Sequence, residues 1–201
     1  MNRLRPKGFT LLEVIVALGL TAAVLLMSAI AMRSSLMAVD SSAIQTDLEC
    51  KATAMMDLIA RELKDGGTKY PGFSIASSQQ SITFARCIGC NNSLPVFGNQ
   101  ITYGVVAYDP NYCLERSETV AGVAQKQLLT DRLSTTSTSV TNAQGVSVNV
   151  VGVSFRLVSA DVVEITVILR RGNAIMRENS TSVDNNITVT CQSSVQMLNC
   201  N

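Results

Sequence analysis

The sequence contains six cysteines and no histidine. The cysteines are therefore the residues best suited to bonding or metal chemistry. The lack of histidine excludes Ser-His-Asp and Cys-His nucleophile systems and every metal site with imidazole ligands. An even number of cysteines in a chain of 201 residues predicts disulfide bonds in an oxidising compartment, or a metal site. The six are Cys50, Cys87, Cys90, Cys113, Cys191 and Cys200.

The spacing of four of these cysteines favours structural bridges. Cys191 and Cys200 enclose a short C-terminal loop, and we hypothesise that they are bonded to each other. Cys87 and Cys90 form a C-x-x-C pair, which can be a local bridge, a zinc half-site or a redox pair. Zinc needs a matching second pair and a redox site expects a βαβ context, so we favour a structural role and expect neither metal nor cofactor.

The remaining composition marks no active site. The 15 acidic residues show no spacing that indicates an acid–base pair, and no phosphate-binding loop or nucleophile elbow is present. A net charge of +1 argues against a dedicated nucleic-acid binder, and an aromatic content of 4% argues against a base-stacking surface. We therefore expect no catalytic residues and no clear nucleic-acid site.

Residues 9–32 form the first structural element, an apolar stretch whose single ionisable group is Glu13. A helix of this length crosses the ~30 Å hydrocarbon core of a bilayer. It follows a short segment that has no acidic residue and carries the cations Arg3, Arg5 and Lys7. The positive-inside bias predicts a cytoplasmic N-terminus, with the rest of the chain on the side where thiols oxidise.

Ordinary targeting segments explain this stretch poorly. A secretory signal peptide is disfavoured, although Ala29-Ile30-Ala31 fits its cleavage site, because the apolar run is too long and carries a carboxylate. A lipoprotein is not supported, since no cysteine precedes Cys50. An uncleaved anchor leaves Glu13 unexplained, because a carboxylate inside a spanning helix costs about 2.5–3.5 kcal/mol near its centre. Glu13 therefore needs a partner or a function.

The segment from Lys7 to Glu13, KGFTLLE, resembles the class III signal of type IV prepilins and type II secretion pseudopilins. The resemblance implies that a prepilin peptidase removes a leader of residues 1–8 by cutting after Gly8. It also implies N-methylation of the new terminal residue, Phe9, and pairing of Glu13 with the terminal amine of a neighbouring subunit. Cleavage leaves 13 basic against 15 acidic residues, so the mature chain is slightly acidic.

A second helical segment continues the first. Its apolar residues follow one helical face over residues 40–65, and Gly66 begins a stop signal. The apolar positions are Ile44, Leu48, Ala52, Met55, Ile59 and Leu63. We expect one stalk helix over residues 9–65, whose first half, residues 9–32, is the transmembrane part.

Cys50 is the cysteine without an obvious partner. On an ideal helix it lies nearly opposite Leu48, away from the apolar face. It either meets a loop that wraps round the helix, through Cys113, or remains free.

Residues 66–201 are expected to form an extracytoplasmic head rich in β-structure. Alternating or β-branched runs predict strands at 81–84, 100–105, 147–158 and 161–170, the last two as a hairpin. Shorter strands are expected at 174–176 and 187–190, and the Ser/Thr-rich residues 134–145 are expected to form a solvated loop. The predicted fold class is α+β, with a mostly antiparallel sheet laid on the helical face.

The head resembles one subgroup of the pilins and pseudopilins. Its segments MMDLIARELKDGG, ITYGVVAYDPNYCLERSE, LLTDRL, VSFRL and VEITVIL are similar in order to the PilW class of minor pilins and to J-type pseudopilins. Many major pilins have a proline in the membrane half of the helix, whereas here none lies between Pro6 and Pro71. The resemblance implies a non-enzymatic minor pilin that helps to initiate a type IV pilus-like filament.

Two alternatives stay open. One is a type II secretion pseudopilin of the pseudopilus tip complex, and the other is a membrane-anchored adhesin or DNA-uptake module. The implied partners are the prepilin peptidase, other minor pilins or pseudopilins, the major pilin and the inner-membrane assembly platform. The implied location is the bacterial inner membrane, with a cytoplasmic N-terminus and a periplasmic head, and then a filament. The tip subunit of such filaments characteristically lacks the carboxylate of Glu13, which suggests a position just under the tip.

Overall fold

The computed structural model describes residues 10–91, 94–108, 111–172 and 186–197. These residues form one long helix and ten strands, so the predicted α+β class is confirmed. The chain divides into two compact units, the first ending at Ser42 and the second beginning at Ala43. The first unit is helical where it is described, and the second contains the rest of the helix and all the described strands.

The elements are numbered in chain order. The helix α1 spans Leu11–Lys64 and contains 54 residues. The described strands are β1 (Ser74–Ile75), β2 (Ser81–Asn91), β3 (Leu94–Tyr108), β4 (Asn111–Val120), β5 (Val123–Leu133), β6 (Thr138–Thr141), β7 (Ser147–Val150), β8 (Val153–Ser159), β9 (Val162–Gly172) and β10 (Asn186–Gln196).

The strands form one large antiparallel sheet and one small hairpin. The order in the large sheet is β1-β2-β3-β4-β5-β9-β10, and β8 also pairs with β9. Strands β5 and β9 pair at one position, Leu133 with Leu169. This pair connects the β1–β5 part of the sheet to the part formed by β8, β9 and β10. The small hairpin consists of β6 and β7 and lies outside the large sheet.

One face of the large sheet packs on the second half of α1. The six apolar helix positions predicted from the sequence are all buried there, and Leu48, Ala52, Ile59 and Leu63 are fully buried. They contact core residues from β2, β3, β8 and β9, such as Phe84, Tyr103 and Phe155. Removal of this apolar face from water is the main force that fixes the helix on the sheet.

The opposite face of β9 is covered by the β6–β7 hairpin. Alternation along a strand sends Val163, Ile165 and Val167 toward α1, while Ile168 contacts Val140 and Val150 of the hairpin. Glu164 and Thr166 lie on this second face and are also buried. The centre of the head is therefore three layers thick.

The structure corrects one loop prediction and one strand prediction. The expected solvated loop at residues 134–145 is wrong, because it contains β6 and a buried Ser134. The expected strand at residues 147–158 is broken at Gly152, whose φ of +68° suits a residue without a Cβ. Its second part, β8, forms the predicted hairpin with β9, whereas its first part, β7, pairs with β6. The strand expected at 174–176 lies outside the described residues.

Candidate functional site

The start of α1 places Glu13 in the first helical turn. Thr10 precedes the helix, and its backbone N–H and hydroxyl donate to Oε2 of Glu13 at 2.9 and 3.1 Å. The backbone N–H of Glu13 donates in return to Oγ1 of Thr10 at 3.3 Å. This is a capping box, which satisfies backbone donors at a helix N-terminus. The sequence signal for this capping box is Thr-x-x-Glu ahead of an apolar run. The capping box was not predicted from the sequence, because Glu13 was interpreted only as a contact to another subunit.

The helix surface around Glu13 is apolar and exposed. A groove of about 310 Å³ is lined by Glu13, Val14, Ala17, Leu18 and Thr21. Among the described residues, α1 is the one helix long and apolar enough to cross a membrane, and its most apolar stretch is not buried within the protein. An exposed apolar helix of this length fits membrane anchoring.

Five predicted site residues precede this helix. The leader cations Arg3, Arg5 and Lys7 and the cleavage residues Gly8 and Phe9 all lie outside the described residues. Cleavage and N-methylation therefore stay predictions.

A buried ionic cluster joins the end of α1 to the sheet. Glu62 lies in the last turn of the helix and has 7% of its surface exposed. Its Oε2 accepts hydrogen bonds from the Tyr103 hydroxyl at 2.6 Å and from Nε of Arg116 at 3.0 Å. Its Oε1 accepts from Nη2 of Arg116 and Nη2 of Arg86, each at 2.8 Å. Arg116 also donates to Glu118 at 2.8 Å.

The pKa values in this cluster follow from burial and charge. Burial acts to raise the pKa of Glu62, but the hydrogen bonds from Arg116 and Tyr103 and the charges of Arg116 and Arg86 together hold it below its ordinary value. Burial, and then the hydrogen bond to Glu62, raise the pKa of Tyr103. The hydrogen bond from Arg116, followed by that from Asn99, lowers the pKa of Glu118. Glu62 is therefore ionised and matched by two guanidinium groups at neutral pH.

The Glu62 cluster was not predicted from the sequence. Its signal is an acidic residue in the last helical turn, where the helix dipole disfavours a negative charge. Such a residue needs cations from elsewhere in the fold, and here Arg86 comes from β2 and Arg116 from β4. The cluster orients the helix end on the sheet and so belongs to the architecture of the head.

The structure does not form the expected cysteine pairs. Cys50, Cys90, Cys113 and Cys191 are free thiols among the described residues, so neither the Cys191–Cys200 bridge nor a Cys87–Cys90 bridge is formed. Cys87 is disulfide-bonded, whereas Cys200 lies outside the described residues. Of the two possibilities for Cys50, the structure has the free thiol: Cys50 is exposed, Cys113 is buried within the sheet, and neither is in a bridge.

The thiols differ in their surroundings. Burial, and then the charge of Asp131, raise the pKa of Cys113. Burial, and then the charge of Glu49, raise the pKa of Cys191. Within the described part of the chain, no three Cys, Asp or Glu side chains are grouped as a metal site requires. Of the free thiols, Cys113 is buried and Cys191 is half-buried, whereas Cys50 and Cys90 are exposed.

Comparison with known proteins gives a match at the N-terminus. Residues 3–29 match the family described as the prokaryotic N-terminal methylation motif. Neither the search of curated proteins nor the search of solved structures gave a match. The matched range contains Lys7 to Glu13, so the recognition of a prepilin-type signal in that segment is confirmed. The chain carries the methylation motif of prokaryotic prepilins, and this supports a type IV pilin-like or pseudopilin precursor.

Proposed function

We propose that this protein is a minor pilin, a non-enzymatic subunit that helps to initiate assembly of a type IV pilus-like filament. The observation that carries the proposal is Glu13 in the first turn of an exposed apolar helix, inside the segment that matches the prokaryotic N-terminal methylation motif. A carboxylate in such a helix is costly unless it is paired. A neighbouring subunit that presents a cationic amine supplies the missing charge.

The mechanism is assembly within the membrane. After cleavage at Gly8, the new N-terminus at Phe9 carries an α-amino group, which is cationic at neutral pH because its ordinary pKa is about 8. Pairing of this amine with Glu13 of the next subunit offsets two desolvation costs together. The membrane helices then pack side by side, and the head selects its partners.

The proposed topology follows the charge distribution. The cations at Arg3, Arg5 and Lys7 keep the leader of residues 1–8 in the cytoplasm. The transmembrane half, residues 9–32, belongs to a stalk over residues 9–65, and residues 66–201 form the periplasmic head. The prepilin peptidase, the assembly platform and other pilin subunits are the partners in the inner membrane.

The uninterrupted helix supports a minor rather than a major subunit. No proline interrupts α1 over its 54 residues, so it lacks the site at which the helices of many major pilins can melt. The resemblance of the head to the PilW class and to J-type pseudopilins supports the same conclusion. A secretion pseudopilin is the alternative within this class, and a membrane-anchored adhesin or DNA-uptake module is the alternative outside it.

Neighbouring genes and filament composition separate these functions. Genes for a retraction motor beside the gene for this chain indicate a pilus, whereas genes for a secretin and a secretion ATPase indicate a pseudopilus. A protein that uses its helix only as an anchor stays in the membrane fraction. A pilin subunit is recovered in filaments sheared from cells, and its absence from them would contradict the proposal.

Processing gives the direct test. Intact-protein mass spectrometry of membrane or filament material should show a mature chain that starts at N-methylated Phe9. Gly8→Ala should slow or block cleavage, because the added Cβ interferes with close approach of the peptidase to the backbone. Gly19→Ala is the matched control, since a Cβ at Gly19 meets nothing within 4 Å. An N-terminus at Met1 or just after Ala31 in the wild-type protein would remove the basis of the proposal.

A further inference from the structure

Cys87 lies in β2 and is disulfide-bonded. Its partner follows from the bonding state of the other cysteines, because the chain contains six. In the described part of the chain the free thiols are Cys50, Cys90, Cys113 and Cys191. The sixth cysteine, Cys200, lies outside the described residues. It is therefore the cysteine of this chain that is left to bond with Cys87.

The described chain ends beside the C-terminal end of α1. Met197 follows β10 directly and has only 2% of its surface exposed. Its Cε would lie 2.9 Å from a Cβ added to Gly66, which is the second residue after α1. A ring carbon of Phe84 in β2 would lie 2.8 Å from the same Cβ. Met197 therefore packs against the turn that follows the helix.

The same turn is bonded to the strand that carries Cys87. Gly66 forms an isolated antiparallel bridge with Arg86 of β2. The backbone N–H of Cys87 donates to the backbone carbonyl of Asp65 at 2.8 Å. Met197 and Cys87 therefore contact adjacent residues of one short turn, Gly66 and Asp65.

The chain beyond Met197 is long enough to reach Cys87. Cys200 is the third residue after Met197, and three extended residues span about 10 Å. A disulfide bond spans a further ~4.4–6.8 Å between the Cα atoms of its two cysteines. Cys191, by contrast, is held in β10 opposite Val167 of β9.

We propose that Cys87 and Cys200 form a disulfide bond that ties the C-terminal end of the chain to β2. The two thiols lose two protons and two electrons to a disulfide-bearing thiol oxidoreductase, which is reduced to its dithiol through a mixed disulfide. Structural disulfides form in this way outside the cytoplasm. The proposal therefore rests on the periplasmic head of the proposed function, and it adds a covalent step to the maturation of the subunit.

This bond cross-links the two parts of the large sheet. Cys87 belongs to the β1–β5 part, whereas Cys200 follows β10 at the edge of the other part. Strands β5 and β9 connect these parts through the single pair of Leu133 and Leu169. The bond encloses residues 87–200 and so includes that junction. Closing such a long loop removes conformational entropy from the unfolded chain, which stabilises the folded head.

Peptide mapping of the full-length protein, extracted from membranes in detergent without reductant, tests the proposal. Free thiols are first blocked with N-ethylmaleimide at mildly acidic pH, where thiol–disulfide exchange is slow because few thiols are ionised. We expect one linked peptide pair, in which Cys87 is joined to Cys200 while Cys90 and Cys191 carry the blocking group. A bond between any other two cysteines, or six blocked cysteines, would overturn the proposal.

Cys200→Ser tests the cross-link by its effect on stability. Cys87 should become blocked in this variant, and the Tm of the head should fall by about 10 °C. Reductant should lower the Tm of the wild type to the same value and leave that of the variant unchanged. Cys90→Ser is the matched control, because it removes an exposed free thiol from the same strand and should change neither the bond nor the Tm. Equal Tm values for the wild type and Cys200→Ser would contradict the cross-linking role.

A membrane-impermeant maleimide separates failure of the bond from failure of the proposed topology. Cys90 is exposed, so the reagent should label it from the periplasmic side. If Cys90 is labelled but Cys87 and Cys200 are both free, the disulfide proposal is wrong while the topology stands. The assembly role proposed for Glu13 would then also be unaffected, because it does not depend on this bond.

Discussion

Replacement of Glu62 by glutamine should destabilise the head strongly, because Glu62 is the carboxylate shared by both arginines of the cluster. Glutamine keeps the shape of the side chain and removes the charge that faces Arg116 and Arg86. Removal of one partner from a buried ion pair typically costs about 3–5 kcal/mol, because the other charge is left uncompensated. Arg116 retains Glu118 at 2.8 Å, so we expect the lower end of this range, about 3 kcal/mol.

Two other variants give smaller expected losses of stability, with which the loss for Glu62→Gln can be compared. Tyr103→Phe removes one donor to Glu62 and keeps the ring beside Phe84, so it should cost about 1 kcal/mol. Arg86→Lys alters a pair whose arginine side chain is 41% exposed, and screening by water limits its contribution to about 0–1 kcal/mol. The expected order of destabilisation is Glu62→Gln, then Tyr103→Phe, then Arg86→Lys.

Thermal unfolding followed by near-ultraviolet circular dichroism measures the head through its tyrosines. For a unit of this size about 3 kcal/mol corresponds to a decrease in Tm of about 6–12 °C. Because the pKa of Glu62 is lowered in the fold, its stabilising effect is complete above the pKa of the unfolded chain and is lost as the pH falls through the folded pKa. The difference in Tm between wild type and Glu62→Gln should therefore shrink below about pH 4. Equal Tm values for Glu62→Gln and Arg86→Lys, or a difference that stays constant down to about pH 3, would refute this account.

Three further predictions concern other parts of the chain. Glu13→Gln should leave membrane insertion and cleavage intact but reduce recovery in sheared filaments, whereas Thr10→Ala, which breaks only the capping box, should still assemble. Gly66→Ala should lower the stability of the head by about 1–3 kcal/mol in the same unfolding assay, because a Cβ there lies 2.8 Å from Phe84 and 3.1 Å from a backbone carbonyl. In maleimide labelling of the native protein, Cys50 and Cys90 should react and the buried Cys113 should react only after unfolding; early labelling of Cys113 would contradict its burial.

The helix was predictable because its signals are local. Apolar residues at spacings of three and four define one face from Ile44 to Leu63, and the structure buries that face on the sheet. The stop signal at Gly66 also agrees with the observed end of α1 at Lys64. Gly66 has a second role that the pattern does not reveal, since the side chains of Phe84 and Met197 pack against its missing Cβ.

The errors in the head come from contacts between distant segments. A solvated loop was predicted at residues 134–145 because these residues are rich in Ser and Thr. In the structure, Val140 from this segment is buried against Ile168 of β9. The position of Ile168 on the outer face of β9 depends on the register of the whole sheet, which local patterns do not contain. The predicted Cys191–Cys200 bridge is wrong for the same reason, because short spacing in the sequence did not bring Cys191 into a bridge: its thiol is free.

The capping box changes how the proposed assembly contact must work. Both bonds from Thr10 end on Oε2 of Glu13, so Oε1 is left without a partner among the described residues. A carboxylate has acceptor sites on both oxygens, and one carboxylate can therefore cap its own helix and receive an amine at the same time. Capture of a neighbouring Phe9 amine then requires no unwinding of the first turn. The capping bonds also hold the carboxylate in one rotamer before the neighbour arrives, which lowers the entropy lost on assembly. On this view Thr10→Ala should slow incorporation into filaments modestly, whereas Glu13→Gln should prevent the charge pairing itself.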